Sequence, residues 1–129
     1  MSDLKTVVSI NGEYSKRNFT VFDIQSLKGQ RQLTKTLPFS PEEAAAAEEA
    51  GIETLNVRYN PERPELAADI RKAAPNTFMT FAMPMNVAKS SYEVLNACFN
   101  AMELGADSIM CGGWSLDFVE VAAKSGLPV

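Results

Sequence analysis

The segments Phe78-Met79-Thr80-Phe81-Ala82-Met83 and Gly105-Ala106-Asp107-Ser108-Ile109-Met110-Cys111-Gly112-Gly113-Trp114 decide the fold of this chain. Each contains an apolar run of strand length, and the residues between them have apolar positions at helical spacing. Two buried strands joined by a helix form a βαβ unit, in which the strands are parallel. In such folds the loops at the carboxyl ends of the strands usually hold the functional residues. Here those loops are 82–86 and 111–114.

The same alternation of strand and helix extends outward from this unit. We predict strands at 32–37, 52–57, 77–82 and 107–111, because these runs are apolar or β-rich. Each is followed by a predicted helix: one that begins at Ser40-Pro41, one after Pro64, one after Ser90 and one after Ser115. The apolar positions predicted for the last three helices are Leu66, Ile70 and Ala73; Leu95, Cys98, Phe99 and Met102; and Leu116, Val119, Ala122 and Ala123.

The first thirty residues have a different pattern. Asn11-Gly12 between two β-rich runs predicts a hairpin, and Thr20 with Asp23 predicts the capped start of a short helix. We therefore divide the chain into an N-terminal hairpin and helix at 1–30 and four βα units at 31–129, which form a single domain.

Four consecutive βα units predict an α/β fold with a parallel sheet and right-handed crossovers. Two architectures satisfy this pattern: a small open sheet, or half of an eight-stranded (β/α)8 barrel whose edges need a partner. The final residues Leu127-Pro128-Val129 resemble the start of a fifth strand.

Composition narrows the possible functions. The 129 residues have a net charge of -4 without a run of like charges, which does not favour nucleic acid or an acidic membrane surface as a partner. There is no apolar run of membrane-spanning length and no signal-peptide pattern, so we expect a cytoplasmic protein. The chain has no histidine, which excludes Ser-His and Cys-His catalysis within it. Cys98 and Cys111 have neither disulfide-framework nor zinc spacing, and we expect reduced thiols.

Several residues at the predicted strand ends are candidates for ligand binding. Gly112-Gly113 would present backbone N–H groups to an anion, or form a tight turn. Arg58, with Tyr59 and Asn60 beside it, would grip the carboxylate of an α-keto acid, or remain solvated. Cys111 precedes a helix, where a thiol pKa falls, and is a candidate nucleophile or a small core residue.

The loop after the third predicted strand contains two further polar candidates. Asn86 and Lys89 would hydrogen-bond a ligand, or lead into the following helix. The methionines of this half of the chain are interpreted as core residues that fill gaps.

Several segments, in order and at about the right spacing, resemble the N-terminal half of ketopantoate hydroxymethyltransferase over residues 20–129. They are Lys35-Thr36, Glu49-Ala50-Gly51-Ile52, Ala74-Pro75-Asn76, Met83-Pro84, Leu104-Gly105-Ala106-Asp107, Gly112-Gly113-Trp114 and Gly126-Leu127-Pro128-Val129.

The resemblance implies half of a (β/α)8 barrel of the phosphoenolpyruvate/pyruvate type, completed by a second half or by oligomerisation. It also implies a one-carbon transfer of pantothenate biosynthesis, from methylenetetrahydrofolate to the small α-keto acid 3-methyl-2-oxobutanoate, with magnesium bound to the keto acid.

The metal and catalytic residues of that family are replaced in this chain. Its Asp-Ser pair falls on Tyr59-Asn60, a further Asp falls on Ala82, and its Lys and Glu fall on Met110 and Cys111. Magnesium prefers carboxylate oxygens. Three functions therefore stay open: the hydroxymethyl transfer, a metal-free reaction on another small keto acid or carboxylate held by Arg58, and a catalytically silent binding or assembly subunit.

Overall fold

The structure, a computed structural model, describes residues 3–129 as a mixed α/β fold. Its elements in chain order are β1 (Lys5–Val8), β2 (Tyr14–Arg17), α1 (Val21–Ser26), β3 (Lys35–Thr36), α2 (Pro41–Glu49), β4 (Thr54–Arg58), α3 (Glu65–Ala73), β5 (Phe78–Ala82), a 3-10 helix (Met85–Val87), α4 (Ser91–Glu103), β6 (Ser108–Met110) and α5 (Leu116–Lys124). None of the helices in this range is long and apolar enough to cross a membrane.

The strands of the four βα units form one parallel sheet in the order β3-β4-β5-β6. Thr54 lies beside Phe78 on β5, and Thr80 lies beside Ser108 on β6. The predicted parallel α/β sheet is therefore confirmed. Because consecutive parallel strands are joined by right-handed crossovers, the sequential order places α2, α3 and α4 on the same face of the sheet.

The core lies between this face and the helices. Leu55, Val57, Met79 and Phe81 are fully buried there, at alternate positions along β4 and β5. Each side chain of this size stabilises the fold by about 1.5–3 kcal/mol when it is removed from water.

The helices bury the predicted Ile70, Cys98 and Ala122, but other predicted positions are more exposed than expected. On α4 the buried residues are Val94, Ala97, Cys98 and Ala101, while Leu95, Phe99 and Met102 are partly exposed. Alanines allow a helix to approach the sheet closely, and the longer side chains then flank the contact. On α3 the same shift leaves Leu66 46% exposed and buries Ala67 instead.

β3, the strand of the first βα unit, is much shorter than the predicted run 32–37. The Glu53 carboxylate accepts hydrogen bonds from the Thr34 amide (3.0 Å) and the Arg31 guanidinium (2.7 Å), which holds residues before β3 in a loop. At the other end of the chain, Ser115 takes the N-cap position of α5 as predicted, but its side chain makes no capping hydrogen bond.

The predicted N-terminal hairpin and the Thr20–Asp23 capping box are both present. The hairpin is anchored to the amino ends of the parallel strands: Asn18 Oδ1 accepts from the Phe78 amide (2.8 Å), and Arg17 Nε donates to Asp107 at 3.0 Å.

Asp107 joins two buried guanidinium groups. It accepts from Arg71 Nη1 at 3.1 Å and from the Met79 amide at 2.9 Å, in addition to Arg17. Burial lowers the pKa of Arg71 to about 10, and the Asp107 charge opposes that shift. Gly105 packs against this cluster, because a Cβ there would lie 2.8 Å from Arg71 Cδ.

Candidate functional site

The face of the sheet opposite α2, α3 and α4, called here the free face, presents three rows of side chains. Residues alternate between the two faces of a strand, so the strand register assigns each row. From the amino to the carboxyl ends of the strands the rows are Lys35, Thr54 and Phe78; Asn56, Thr80 and Ser108; and Arg58, Ala82 and Met110.

Part of the free face forms the floor of an open groove of about 930 Å³, which is lined by Lys35, Thr54, Phe78, Thr80, Ser108 and Met110 but not by Asn56, Arg58 or Ala82. Its polar lining includes Lys35 at the amino end and the hydroxyl groups of Thr80 and Ser108, which are 2.8 Å apart. Its walls are apolar side chains of α1 and α5 and the final residues of the chain. These are Val21 and Ile24; Leu116 and Val119; and Leu127, Pro128 and Val129.

Two of the predicted site residues, Cys111 and Gly112, line this groove. Gly112 has open space beside its Cα, whereas a Cβ on Gly113 would lie 2.3 Å from Met85 Cγ. Gly113 is therefore part of a close contact between the loops that follow β5 and β6.

The polar residues at the carboxyl end of β4 point in different directions. Arg58 is exposed at the carboxyl end of the strand, with its guanidinium 5.3 Å from the centre of the Phe39 ring. Tyr59 is 3% exposed and packs on Phe81 in the helix-facing core, where burial raises its pKa. Asn60 Oδ1 accepts from the Glu62 amide at 3.0 Å and stabilises the turn after the strand.

The loop after β5 is held by Trp114. The Trp114 indole donates to the Pro84 carbonyl (3.0 Å), and the Trp114 amide donates to the Cys111 carbonyl (3.1 Å). Asn86 and Lys89, the candidates in the β5 loop, are both exposed. These contacts fix the rim of the groove beside Cys111 and Gly112.

Cys111 is close to a second buried thiol, Cys98 on α4, and both are free. A hydrogen bond from the Cys98 thiol lowers the pKa of Cys111 and raises that of Cys98, since the pair shares one stabilised thiolate. The side chain at the groove is therefore the more acidic thiol of the two.

The carboxyl ends of the strands do not fit a magnesium ion. The row at that end consists of one cation and two apolar side chains, Arg58, Ala82 and Met110. Across residues 3–129, no three His, Cys, Asp or Glu side chains are grouped so that they could hold a metal. The chemistry of this row, one cation beside two apolar side chains, is suited to a carboxylate with a short apolar body.

No known protein family and no curated protein matches the chain. Two features near the strand ends were not among the predicted site residues: the amide of Asn56 in the middle row of the free face, and the ring of Phe39 beside Arg58. The alternation of Thr54, Asn56 and Arg58 along one strand was the available signal for Asn56.

Proposed function

We propose that this chain binds a small α-keto acid such as 3-methyl-2-oxobutanoate on the free face, at the carboxyl ends of β4, β5 and β6. The supporting observation is the row in which Arg58, Ala82 and Met110 lie side by side on the free face. A guanidinium binds a carboxylate through two parallel hydrogen bonds. The two neighbouring apolar side chains suit a short branched hydrocarbon.

In this proposal the chain is half of a (β/α)8 barrel similar to ketopantoate hydroxymethyltransferase. The sequential strand order and the helices on one face support it. The hydrogen bond from the Ile109 amide to the Pro128 carbonyl (2.8 Å) also supports it, since it extends the sheet beyond β6. The exposed Leu116 gives the groove wall an apolar side chain that a further layer would bury. Further βα units would cover the groove, and for the isolated chain a second copy would do so.

The resemblance also suggests hydroxymethyl transfer with methylenetetrahydrofolate and magnesium. Magnesium prefers carboxylate oxygens, and the positions that would supply them at the strand ends do not. Tyr59 carries a phenol and is buried, and the side chains of Ala82 and Met110 contain no oxygen. We therefore assign keto-acid binding, and no step of the transfer, to these residues. Turnover of 3-methyl-2-oxobutanoate in the presence of both cofactors is the direct test of the transfer.

Calorimetric titration with 3-methyl-2-oxobutanoate tests the binding. Replacing Arg58 with Met keeps much of the side-chain length but removes the charge, and we expect an affinity loss of about tenfold, the value of one charge-assisted hydrogen bond. Arg63→Met is the matched control, because Arg63 is an exposed arginine in the loop after β4 and is not part of the free face. Equal affinity in the Arg58 variant, or no binding by the unaltered chain, would refute the proposal.

A silent assembly subunit is the second candidate function. It is favoured by the absence of carboxylates from the third row of the free face, together with a Leu116 side chain that is 85% exposed on the groove wall. In that case the groove would close against a partner without binding keto acid. The titration above distinguishes the two functions.

A further inference from the structure

The side-chain amide of Asn56 is unsatisfied in the middle row of the free face. Its Oδ1 is buried and has no hydrogen-bond partner within residues 3–129. Its Nδ2 contacts Met110 Sδ at 4.0 Å, and a thioether is a weak acceptor. An unpaired buried amide oxygen destabilises a fold, so its retention in the middle of a strand requires an explanation.

The neighbouring polar groups are paired. The Thr80 and Ser108 hydroxyl groups hydrogen-bond each other at 2.8 Å, and Thr54 Oγ1 donates to the Thr34 carbonyl at 3.0 Å. The other unpaired buried side-chain atom in the described range is Arg71 Nε, whose guanidinium makes four other hydrogen bonds. Asn56 is thus the polar group of the middle row that has capacity for a ligand, and it lies beside the groove, behind Met110.

Met110 covers this amide. The two residues are on β4 and β6, and the small side chain of Ala82 in the intervening strand leaves room for their contact. Met110 is 42% exposed, and an unbranched thioether changes conformation readily. Its movement toward solvent would open the amide to the groove without a change in the backbone.

We propose that Asn56 is a ligand-binding residue whose carbonyl oxygen accepts a hydrogen bond from a hydroxyl group of a small carboxylate. This inference rests on the proposed function, in which Arg58 holds the carboxylate. The two side chains are two residues apart on one face of β4, a backbone separation of about 7 Å. Together they would select a short acid that carries a hydroxyl group over one that lacks it.

The test uses butanoate and 3-hydroxybutanoate, which differ in one hydroxyl group. By calorimetry we expect the unaltered chain to bind 3-hydroxybutanoate about fivefold more tightly, the effect of one net hydrogen bond. Asn56→Leu should bind both acids equally, with the affinity for butanoate unchanged. Its melting temperature should be equal or higher, since the unpaired amide is gone. Asn100→Leu is the matched control and should retain the preference, because Asn100 lies on α4 and not on the free face.

Equal affinity of the unaltered chain for the two acids, or a preference that persists in Asn56→Leu, would overturn this inference while leaving keto-acid binding intact. Failure of these acids and of 3-methyl-2-oxobutanoate to bind would instead overturn the proposed function, and the role of Asn56 with it.

Discussion

Neighbouring residues at the end of β4 have different roles because a strand alternates its faces. Arg58 lies on the free face, whereas Tyr59 packs on Phe81 in the core. The sequence placed both at one strand end, and that placement is right. The sequence did not show that their side chains point to opposite faces. That depends on the residue at which the strand ends, and sequence patterns locate strand ends least well.

Asn56 illustrates what sequence patterns do not reveal. Its position on β4 could be predicted from the alternation of Thr54, Asn56 and Arg58. Whether its amide is paired depends on Met110, which is 54 positions later in the chain. A missing hydrogen bond between distant segments leaves no local sequence signal.

The Cys98 and Cys111 pair gives a prediction at the residue scale. Cys98→Ala removes the donor that lowers the pKa of Cys111, so the pKa of Cys111 should rise. Alkylation by iodoacetamide, followed at Cys111 by peptide mass, should then require a higher pH. Cys98→Ser retains a hydroxyl donor and should keep the original pH profile. Identical profiles for the Ala variant and the unaltered chain would show that Cys98 does not stabilise the thiolate.

At the scale of elements, helix starts were the most predictable feature. Ser40 and Ser90 each accept a hydrogen bond from the amide three residues later, in α2 and α4 respectively, and this contact is encoded locally. On α4 the burial of Cys98 was predicted, but that of Ala97 and Ala101 was not, because alanines carry little hydrophobic signal although they allow the closest approach to the sheet.

The cluster of Arg17, Arg71 and Asp107 was not predicted, because its members come from three distant segments. It joins the hairpin β1–β2 to the amino ends of β5 and β6. Buried charge pairs of this kind have strong consequences when one partner is lost.

Arg17→Met should therefore release the hairpin. We expect the free energy of unfolding to fall by about 3 kcal/mol, the range for a broken buried ion pair, and amide exchange to accelerate in β1 and β2 while β4 and β5 stay protected. Lys16→Met is the control, because Lys16 pairs with Thr6 on the exposed hairpin surface. Equal exchange in both variants would show that the hairpin is held by other contacts.

At the scale of the whole molecule, the groove on the free face of the sheet is walled within residues 3–129 by the short α1, by α5 and by the chain end, and it is open to solvent between them. The sequential strand order of the sheet could be predicted from the repeated βα pattern. The choice between an open sheet and half a barrel could not, since it depends on what packs against the groove.

Closure of the groove by a second copy makes a prediction about solution mass. The isolated chain should sediment at twice its 14.1 kDa mass, and Leu116→Glu should shift it to the monomer, because a buried carboxylate in the groove wall is costly. Leu66→Glu is the matched control on the outer side of α3, outside the groove lining, and should remain dimeric. A monomeric unaltered chain would contradict closure by a second copy.

The most direct test of keto-acid binding is a titration of the ¹⁵N-labelled chain with 3-methyl-2-oxobutanoate, followed by amide chemical shifts. The account predicts that the shifted amides cluster at the carboxyl ends of β4, β5 and β6, at Arg58, Ala82, Met110 and Gly112, and that Arg58→Met needs about tenfold more ligand to reach the same shifts. Saturating shifts at the amino ends of the strands, or none at any concentration, would contradict it.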